Sequence, residues 1–450
     1  MRRWLIAVVT LALVGVACSG GGDANAPTPI DTNASHAPVT IDIWSGWTSP
    51  REIKQFDAIF KSFTEQYPWI TVKDTGGVTD EKLIAGINAG TPPDVALSFG
   101  LDNVGKYCSS GAWQDLTPYI ASTNPDPAEF TKQFPQSVFK YTSFDGSQCA
   151  LPFLTDAYGL YYNKDMFEAE GITEPPKTLS ELTADAKKLT IKNPDGSIER
   201  MGLVPNVGYY ETNAVTYGVP FGAHWYNEDG SASVINSDPQ WVAFANWQKD
   251  LIDWYGGPGA VTDFVAGAGD EFSTSQDFET GRIAMNMDGE WRTAFLADEA
   301  PKLNYGTAPF PVPDELSDTY GLGQIGGTII GIPKGAPHPD EAWLLVQWMA
   351  TDTDTLVYMG NTVGNVPTTY ASLGSPDLDA SPQFQTFLDI FKNPGSRYKE
   401  TSALGSQDQI LFSNFLEKWQ AGTATDLQAG LDQVAGEIDD QLAQSANSAP

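Results

Sequence analysis

Histidine, cysteine and basic side chains are all scarce in this sequence. The three histidines, His36, His224 and His338, lie too far apart to compose a metal site by spacing, so no metal is expected. Only 25 Lys and Arg stand against 57 Asp and Glu, a formal charge of -32, which argues against any partner with a polyanionic surface, nucleic acid above all. No phosphate-cradling loop and no zinc-protease motif occurs. Gly321-Leu322-Gly323-Gln324-Ile325-Gly326 matches the dinucleotide pattern literally, but it leads into an expected strand instead of opening a helix, so it reads as a flexible loop. The apolar run Trp4 to Val16 is too short to span a bilayer.

That run follows Arg2 and Arg3 and precedes small residues and Cys18, which is the layout of an export signal over 1–17. Losing Arg2 and Arg3 with it would take the charge to -34, 57 acids facing 23 bases, spread along the chain without an acidic tail. Val14-Gly15-Val16-Ala17-Cys18 resembles the lipobox of bacterial lipoproteins, with Gly15 where that pattern prefers Leu. The resemblance implies a lipid on Cys18 and anchoring to the outer face of the cytoplasmic membrane; a plain signal peptide is the alternative. Residues 18–38, rich in Gly, Ala, Pro, Asn and Thr, then read as a flexible tether. Cys108 and Cys149 remain, and an exported chain is expected to pair them, two buried thiols being the other reading.

A chain of 450 residues exceeds what one hydrophobic core usually holds, so two compact units are expected. Leu151 to Lys164 is the stretch that organises them. It is too long for one ordinary strand and has Thr155 and Asp156 inside an apolar and aromatic run, so one half is expected to end near Leu154 and the next to begin near Tyr158. Upstream, Val39 to Trp44 alternates as a strand, and Ser49, Pro50 and Glu52 mark a helix start with a capping box. Strands are then predicted at Ile70 to Val72 and Pro93 to Phe99 with a short helix between, a strand-helix-strand repeat that makes the class α/β. In such sheets ligands bind beyond the strands' carboxyl ends, which points to Trp44–Trp47 and Phe99–Asn103. Downstream, Met201 to Pro205 reads as a strand, Trp241 to Trp254 as a helix with core spacing, and Phe278 to Trp291 as a helix end, a Gly stop, a short strand and an Asp-Gly turn that deliver Trp291 to a helix start.

In order, these segments resemble the extracellular solute-binding proteins of ABC importers, in the family that includes maltose and other oligosaccharide binders. The resemblance lies in Gly90-Thr91-Pro92-Pro93-Asp94-Val95, Leu160 to Phe167, Pro176 to Leu182, Gly281 to Trp291, Ile332 to Gly335 with Glu341-Ala342-Trp343, and Asn365-Val366-Pro367-Thr368. It implies the two-lobed periplasmic-binding-protein fold (type II-like), with discontinuous lobes at 39–154 plus 312–350 and 155–311 plus 351–450, and crossings near Thr155, Pro311 and Ala350. It further implies sugar contacts at Asp102, Asp156 and Trp291, with Trp47, Thr48, Tyr210 and Asn365 on matching binding loops. The aromatic pair that maltose binders carry slightly later falls here near Leu373-Gly374, so the resemblance stops short of maltose itself.

The residue types suit a sugar, which offers a C–H face to flat apolar side chains and an edge of hydroxyls to acceptors. Trp47, Tyr158, Trp225 and Trp291 supply candidate plates; Asp102, Asp156, Asp288 and Glu290 supply candidate acceptors. The resulting expectation is a monomeric sugar-binding lipoprotein without cofactor, working with the permease subunits of an ABC importer. A secreted glycosidase using a pair such as Asp156 and Glu290 is the enzyme alternative. A polyamine or glycerophosphodiester binder is the non-sugar one.

Overall fold

The alternation of Val39-Thr40-Ile41-Asp42-Ile43-Trp44 buries Ile41 and Ile43 and starts the first sheet. In the computed structural model, which describes residues 27–228, 230–378 and 381–448, ten strands follow in chain order. They are β1 (Val39–Trp44), β2 (Ile70–Thr75), β3 (Val95–Ser98), β4 (Leu151–Asn163), β5 (Ile191–Lys192), β6 (Ile198–Arg200), β7 (Met285–Gly289), β8 (Tyr305–Ala308), β9 (Ile325–Gly331) and β10 (Val366–Pro367). The export signal and Cys18 lie outside the described residues. Among the described residues no helix is long and apolar enough to cross a membrane.

β1 pairs in parallel with β2 and β3, β3 runs antiparallel to β9, and β9 runs antiparallel to the first part of β4. The helix Pro50–Gln66 covers this sheet with Phe56, Ile59, Phe60 and Phe63, the apolar stripe its spacing predicts. Its start differs from expectation. Ser49 makes no side-chain cap bond, so the predicted capping box is not formed and Glu52 is left for other use.

β4 is one unbroken strand of 13 residues, where the sequence suggested two separate ones. Its first half pairs β9 through Ala157 and β10 at Leu154 and Thr155, and its second half pairs β7 over Tyr158–Tyr162 and β8 over Leu160–Asn163. The change of partners falls between Ala157 and Tyr158, inside the interval where one half was expected to end and the next to begin. Pro152 is tolerated because the register with β9 shifts between Pro152 and Leu154. Around the first half, Phe153, Leu154, Ile330 and Val346 pack with the β1 to β3 residues; around the second, Tyr161, Met285, Met287 and Phe387 join the aromatic interior formed with Trp241 and Phe412.

Two other expectations are corrected. Met201 to Pro205 forms no strand beyond a single bridge from Met201 to Ile283, since the following residues turn toward Tyr209. Part of the supposed tether lies on the protein: Pro29, Ile30 and Thr32 sit against Tyr67 and Trp348, and the His36 ring stacks on Trp69 at 4.2 Å. The helix predicted over Trp241 to Trp254 is present as Pro239–Tyr255, but it buries Trp225 beneath it as well. Cys108 and Cys149 are joined in a disulfide, with Cα atoms 5.4 Å apart.

Candidate functional site

A cavity of about 520 Å³ opens where β4 changes partners. Asp156 and Tyr158, two residues apart and so on one face of the strand, both line it. The pairing of Tyr158 with Gly289 sets the end of β7 beside them and delivers Trp291, whose ring meets that of Tyr158 edge-on at 5.5 Å. From the first sheet, the loop after β1 brings Trp47 and Thr48, and the end of β3 brings Phe99. Trp47 lies edge to face with Phe99 at 4.4 Å.

Asn365 ties three chain segments together below this surface. Its Nδ2 donates to Asp156 Oδ1 at 2.8 Å and to Glu290 Oε1 at 3.0 Å, while Glu290 Oε2 accepts from the Ala157 N–H at 2.6 Å. The chain reaches this position through Gly364, at φ +94°, where a Cβ would stand 3.2 Å from the Trp291 Cα. Burial pushes the Asp156 carboxyl up to about 7 against the pull of Asn365. Glu290 is pushed well above the usual carboxylate range by burial and by Asp156 beside it. Glu290 is wholly buried with both oxygens engaged, so of the Asp156–Glu290 pair only Asp156 faces the cavity.

Glu52 and Glu211 add two further carboxyls to the wall. Glu52, freed from capping, lies beside the Trp47 side chain, and burial raises it to about 7 although Arg51 and then Trp47 draw it down. Glu211 follows Tyr210, whose backbone is left-handed at φ +49°, a conformation costing an aromatic residue about 1–2 kcal/mol. Side-chain bonds hold it there: Tyr210 OH donates to the Gly269 carbonyl at 2.9 Å, and Tyr209 OH donates to Asp277 at 2.7 Å. The turn thus aims position 211 at the cavity. Burial, then Glu271 and Asp288, push Glu211 well above its ordinary range.

Behind the wall lies one fully buried cation. Arg292 Nε donates to Asp288 Oδ2 at 2.9 Å, and its Nη1 donates to the Glu271 carbonyl at 2.8 Å. Glu279 and the Glu271 carboxylate stand at 3.6 and 3.8 Å. The guanidinium lies 5.5 Å from the ring of Phe272, which lines the cavity.

Of the sequence-derived candidates, Trp47, Thr48, Asp156, Tyr158, Trp291 and Asn365 surround this cavity. Asp102 instead lines an adjoining space of about 300 Å³ that shares Phe99, Asp156 and Tyr158 with the first, and there it faces Lys399 at 3.8 Å. Lys399 also holds Asp408 at 2.8 Å. Glu290 stands one layer below the cavity wall. Asp288 is turned away to Arg292, and Tyr210 spends its hydroxyl on Gly269. Trp225 is corrected outright as a plate: it is 2% exposed, packed against Trp241 at 5.2 Å and Phe412 at 5.5 Å, with the Lys399 amine over its ring. An indole wedged among core rings has no face left for a ligand.

Sequence reasoning missed Glu52, Glu211, Phe272 and Thr328, all of which line the cavity. Phe99 it reached as the start of the Phe99–Asn103 loop, from its place at the end of a strand in an α/β sheet. Phe272 and Glu211 had none, since each sits in an irregular loop.

The family model for bacterial extracellular solute-binding proteins matches residues 47–355. A putative binding protein of Brucella abortus is 26% identical over 325 residues, covering 70% of this chain and 72% of that one. The diacetylchitobiose binding protein DasA of Streptomyces coelicolor is 25% identical over 349 residues, 76% of each chain. Among solved structures, CpMnBP1 with mannotriose bound superposes with a TM-score of 0.79 at 24% identity, over 89% of this chain and 99% of that one, a likeness of fold. The two-lobed α/β expectation is borne out by that likeness, and the expectation of a binder over an enzyme by the family match. With a match over more than half its length, the chain belongs to the bacterial extracellular solute-binding proteins.

Proposed function

We propose that this protein captures a di- or oligosaccharide in the cavity at the β4 crossing and delivers it to the permease of an ABC importer. The observation that carries the reading is one cavity, of the size usual for small-molecule sites, holding both aromatic faces (Phe99, Tyr158, Trp291) and hydroxyl-accepting groups (Asp156, Glu211, Thr328) in a chain of this family. Several similar proteins are named for saccharides, including diacetylchitobiose, maltodextrin and mannotriose, which supports the substrate class without naming the sugar. A ring face covering about 100 Å² of apolar surface contributes roughly 2.5 kcal/mol gross. Two such faces give about 5 kcal/mol gross, so charge-assisted hydrogen bonds supply the rest of the roughly 8 kcal/mol of micromolar affinity and offset the association costs.

Residues 39–154 with 312–350 form one lobe in this reading and 155–311 with 351–450 the other, closing over ligand that contacts both. Cys18 carries the lipid that keeps the monomeric protein at the outer face of the membrane. A thermal-shift and calorimetric screen of mono-, di- and oligosaccharides against amino acids and polyamines tests the function. Stabilisation by at least one saccharide, weakened by Trp291→Ala, is expected; a response to none of them refutes it. Mass spectrometry of the exported protein tests the anchor, since an unmodified thiol at position 18 or cleavage beyond it refutes lipidation.

A further inference from the structure

We propose that the saccharide this cavity takes is a basic one, a sugar bearing a free ammonium group where a neutral sugar has a hydroxyl. The inference rests on the sugar-binding reading above and specifies its ligand. In that reading the cavity is the ligand cleft on its place in the fold and its aromatic lining, independently of its charge; what its charge specifies is the ligand.

The wall holds three carboxyl groups, Glu52, Asp156 and Glu211, and no Lys, Arg or His among its lining residues. Behind it stand Glu271 and Glu290, and the two cations nearby are already matched: Arg292 by Asp288, with Glu279 and Glu271 within 4 Å, and Arg51, beside Glu52, by Asp298 at 2.6 Å. The adjoining space differs, because there Lys399 answers Asp102 and Asp408. On the aromatic side of the cleft the lining carboxyls therefore outnumber the cations left unpaired beside them.

Without ligand, the protein tolerates this crowding by holding protons, as the raised carboxyls of Glu52, Asp156 and Glu211 indicate. A neutral sugar leaves that arrangement as it is. An ammonium brings one positive charge and three N–H donors, so a carboxyl proton is released to solvent as the N–H to carboxylate bond forms. Phe99 and Phe272, each about half exposed at 52% and 51%, line the same cavity and add ring faces that attract a cation. Phosphorylated or carboxylated sugars would meet like charge. A linear polyamine would satisfy the acids, yet it offers nothing to Thr48, Ser49, Thr328 and Asn365, whose hydroxyl and amide groups share the wall and suit ring hydroxyls.

The test is isothermal titration calorimetry of the full exported chain with three disaccharides of one skeleton that differ only at C2. These are the β-1,4 glucosamine dimer, its di-N-acetyl form and cellobiose; the amine, acetamide and hydroxyl monosaccharides of the galactose and mannose series and spermidine complete the set. On at least one skeleton the ammonium form is expected to bind at least about tenfold tighter than both neutral forms, with proton release detected by comparing buffers of different ionisation enthalpy. Glu52→Gln and Glu211→Gln should shrink that preference while Trp291→Ala weakens every saccharide, with melting curves checking that the variants fold. Neutral forms binding as tightly as, or tighter than, the ammonium forms on every skeleton overturn the inference and leave the sugar-binding reading standing. Binding of spermidine with no saccharide, or of no member of the set, overturns both. The wild-type comparison decides even if a variant fails to fold.

Discussion

Replacing Arg292 by Met should destabilise the protein in a way that depends on pH. Met fills the stem volume but removes the cation facing Asp288 and Glu279, whose side chains are 0% and 1% exposed. Breaking a buried ion pair from one side costs about 3–5 kcal/mol, because the partner is left charged and unpaired. The carboxyls escape that cost by protonating, so the variant raises their folded pKa values further above the unfolded ones. A group with a raised folded pKa contributes stability that is fully present below its unfolded pKa and is lost as pH rises through the folded one. The deficit against wild type should therefore approach the full 3–5 kcal/mol near about pH 8. Near about pH 5 it should shrink to the lost hydrogen bonds and packing, on the order of 1–2 kcal/mol. Urea unfolding of both proteins at the two pH values, followed by tryptophan fluorescence, measures the gap. An equal deficit at both would mean that the carboxylates around Arg292 are solvated and that the loss is only packing against Phe272 and Phe295.

The two tryptophans separate site from core. Trp225→Ala, which empties a ring-lined interior, should cost about 3–5 kcal/mol in denaturant unfolding, whereas Trp291→Ala should weaken saccharide binding about tenfold or more with a much smaller stability loss. The reverse pattern would misplace the cavity. Because burial holds Glu52 and Asp156 up near 7 and Glu271 near 6, the unliganded protein should be more stable at pH 5 than at pH 8, Glu52 alone contributing on the order of 3 kcal/mol across the window. A stability profile flat from about pH 5 to 8 would refute the burial of these groups. Removing the Cys108–Cys149 bond, which closes a separation of 41 residues, should cost about 4 kcal/mol in the chain-entropy account, read as the midpoint shift of the doubly Ser-substituted protein.

The fold was legible where burial is one-sided and periodic. Phe56, Ile59, Phe60 and Phe63 announce their helix, and Val39–Trp44 its strand, because each element buries one face only. β4 was half legible. Its length and polar interruption signalled a change of surroundings, but a strand can pass from one sheet to another without breaking, provided each half finds new partners on its edges, as β7, β8, β9 and β10 provide. Met201–Pro205 shows the opposite failure: β-favouring residues that bond to the neighbouring chain only at Met201 and Gly202 and then leave it, although β7 continues past them.

For the site, alternation was the reliable guide, and it works only within a strand. Asp156 and Tyr158 share a face because they are two apart on β4, and that geometry follows from sequence alone. Glu52 shows why a correct local pattern can still mislead: Ser49-Pro50-Arg51-Glu52 reads as a capping box, yet the Trp47 side chain beside it offers a competing donor, and the competition is settled by tertiary packing. Trp225 fails for the complementary reason. An aromatic ahead of a turn looks available until a helix far later in the chain, Gln407–Gln420, brings Phe412 against it at 5.5 Å. Glu211 depends on a left-handed Tyr210 that no propensity favours, held by contacts to Gly269 and, through Tyr209, to Asp277. The carboxyls that matter most to the ligand's charge are thus those whose position is set by distant partners, so the acidity of this cleft becomes visible only once the chain is folded.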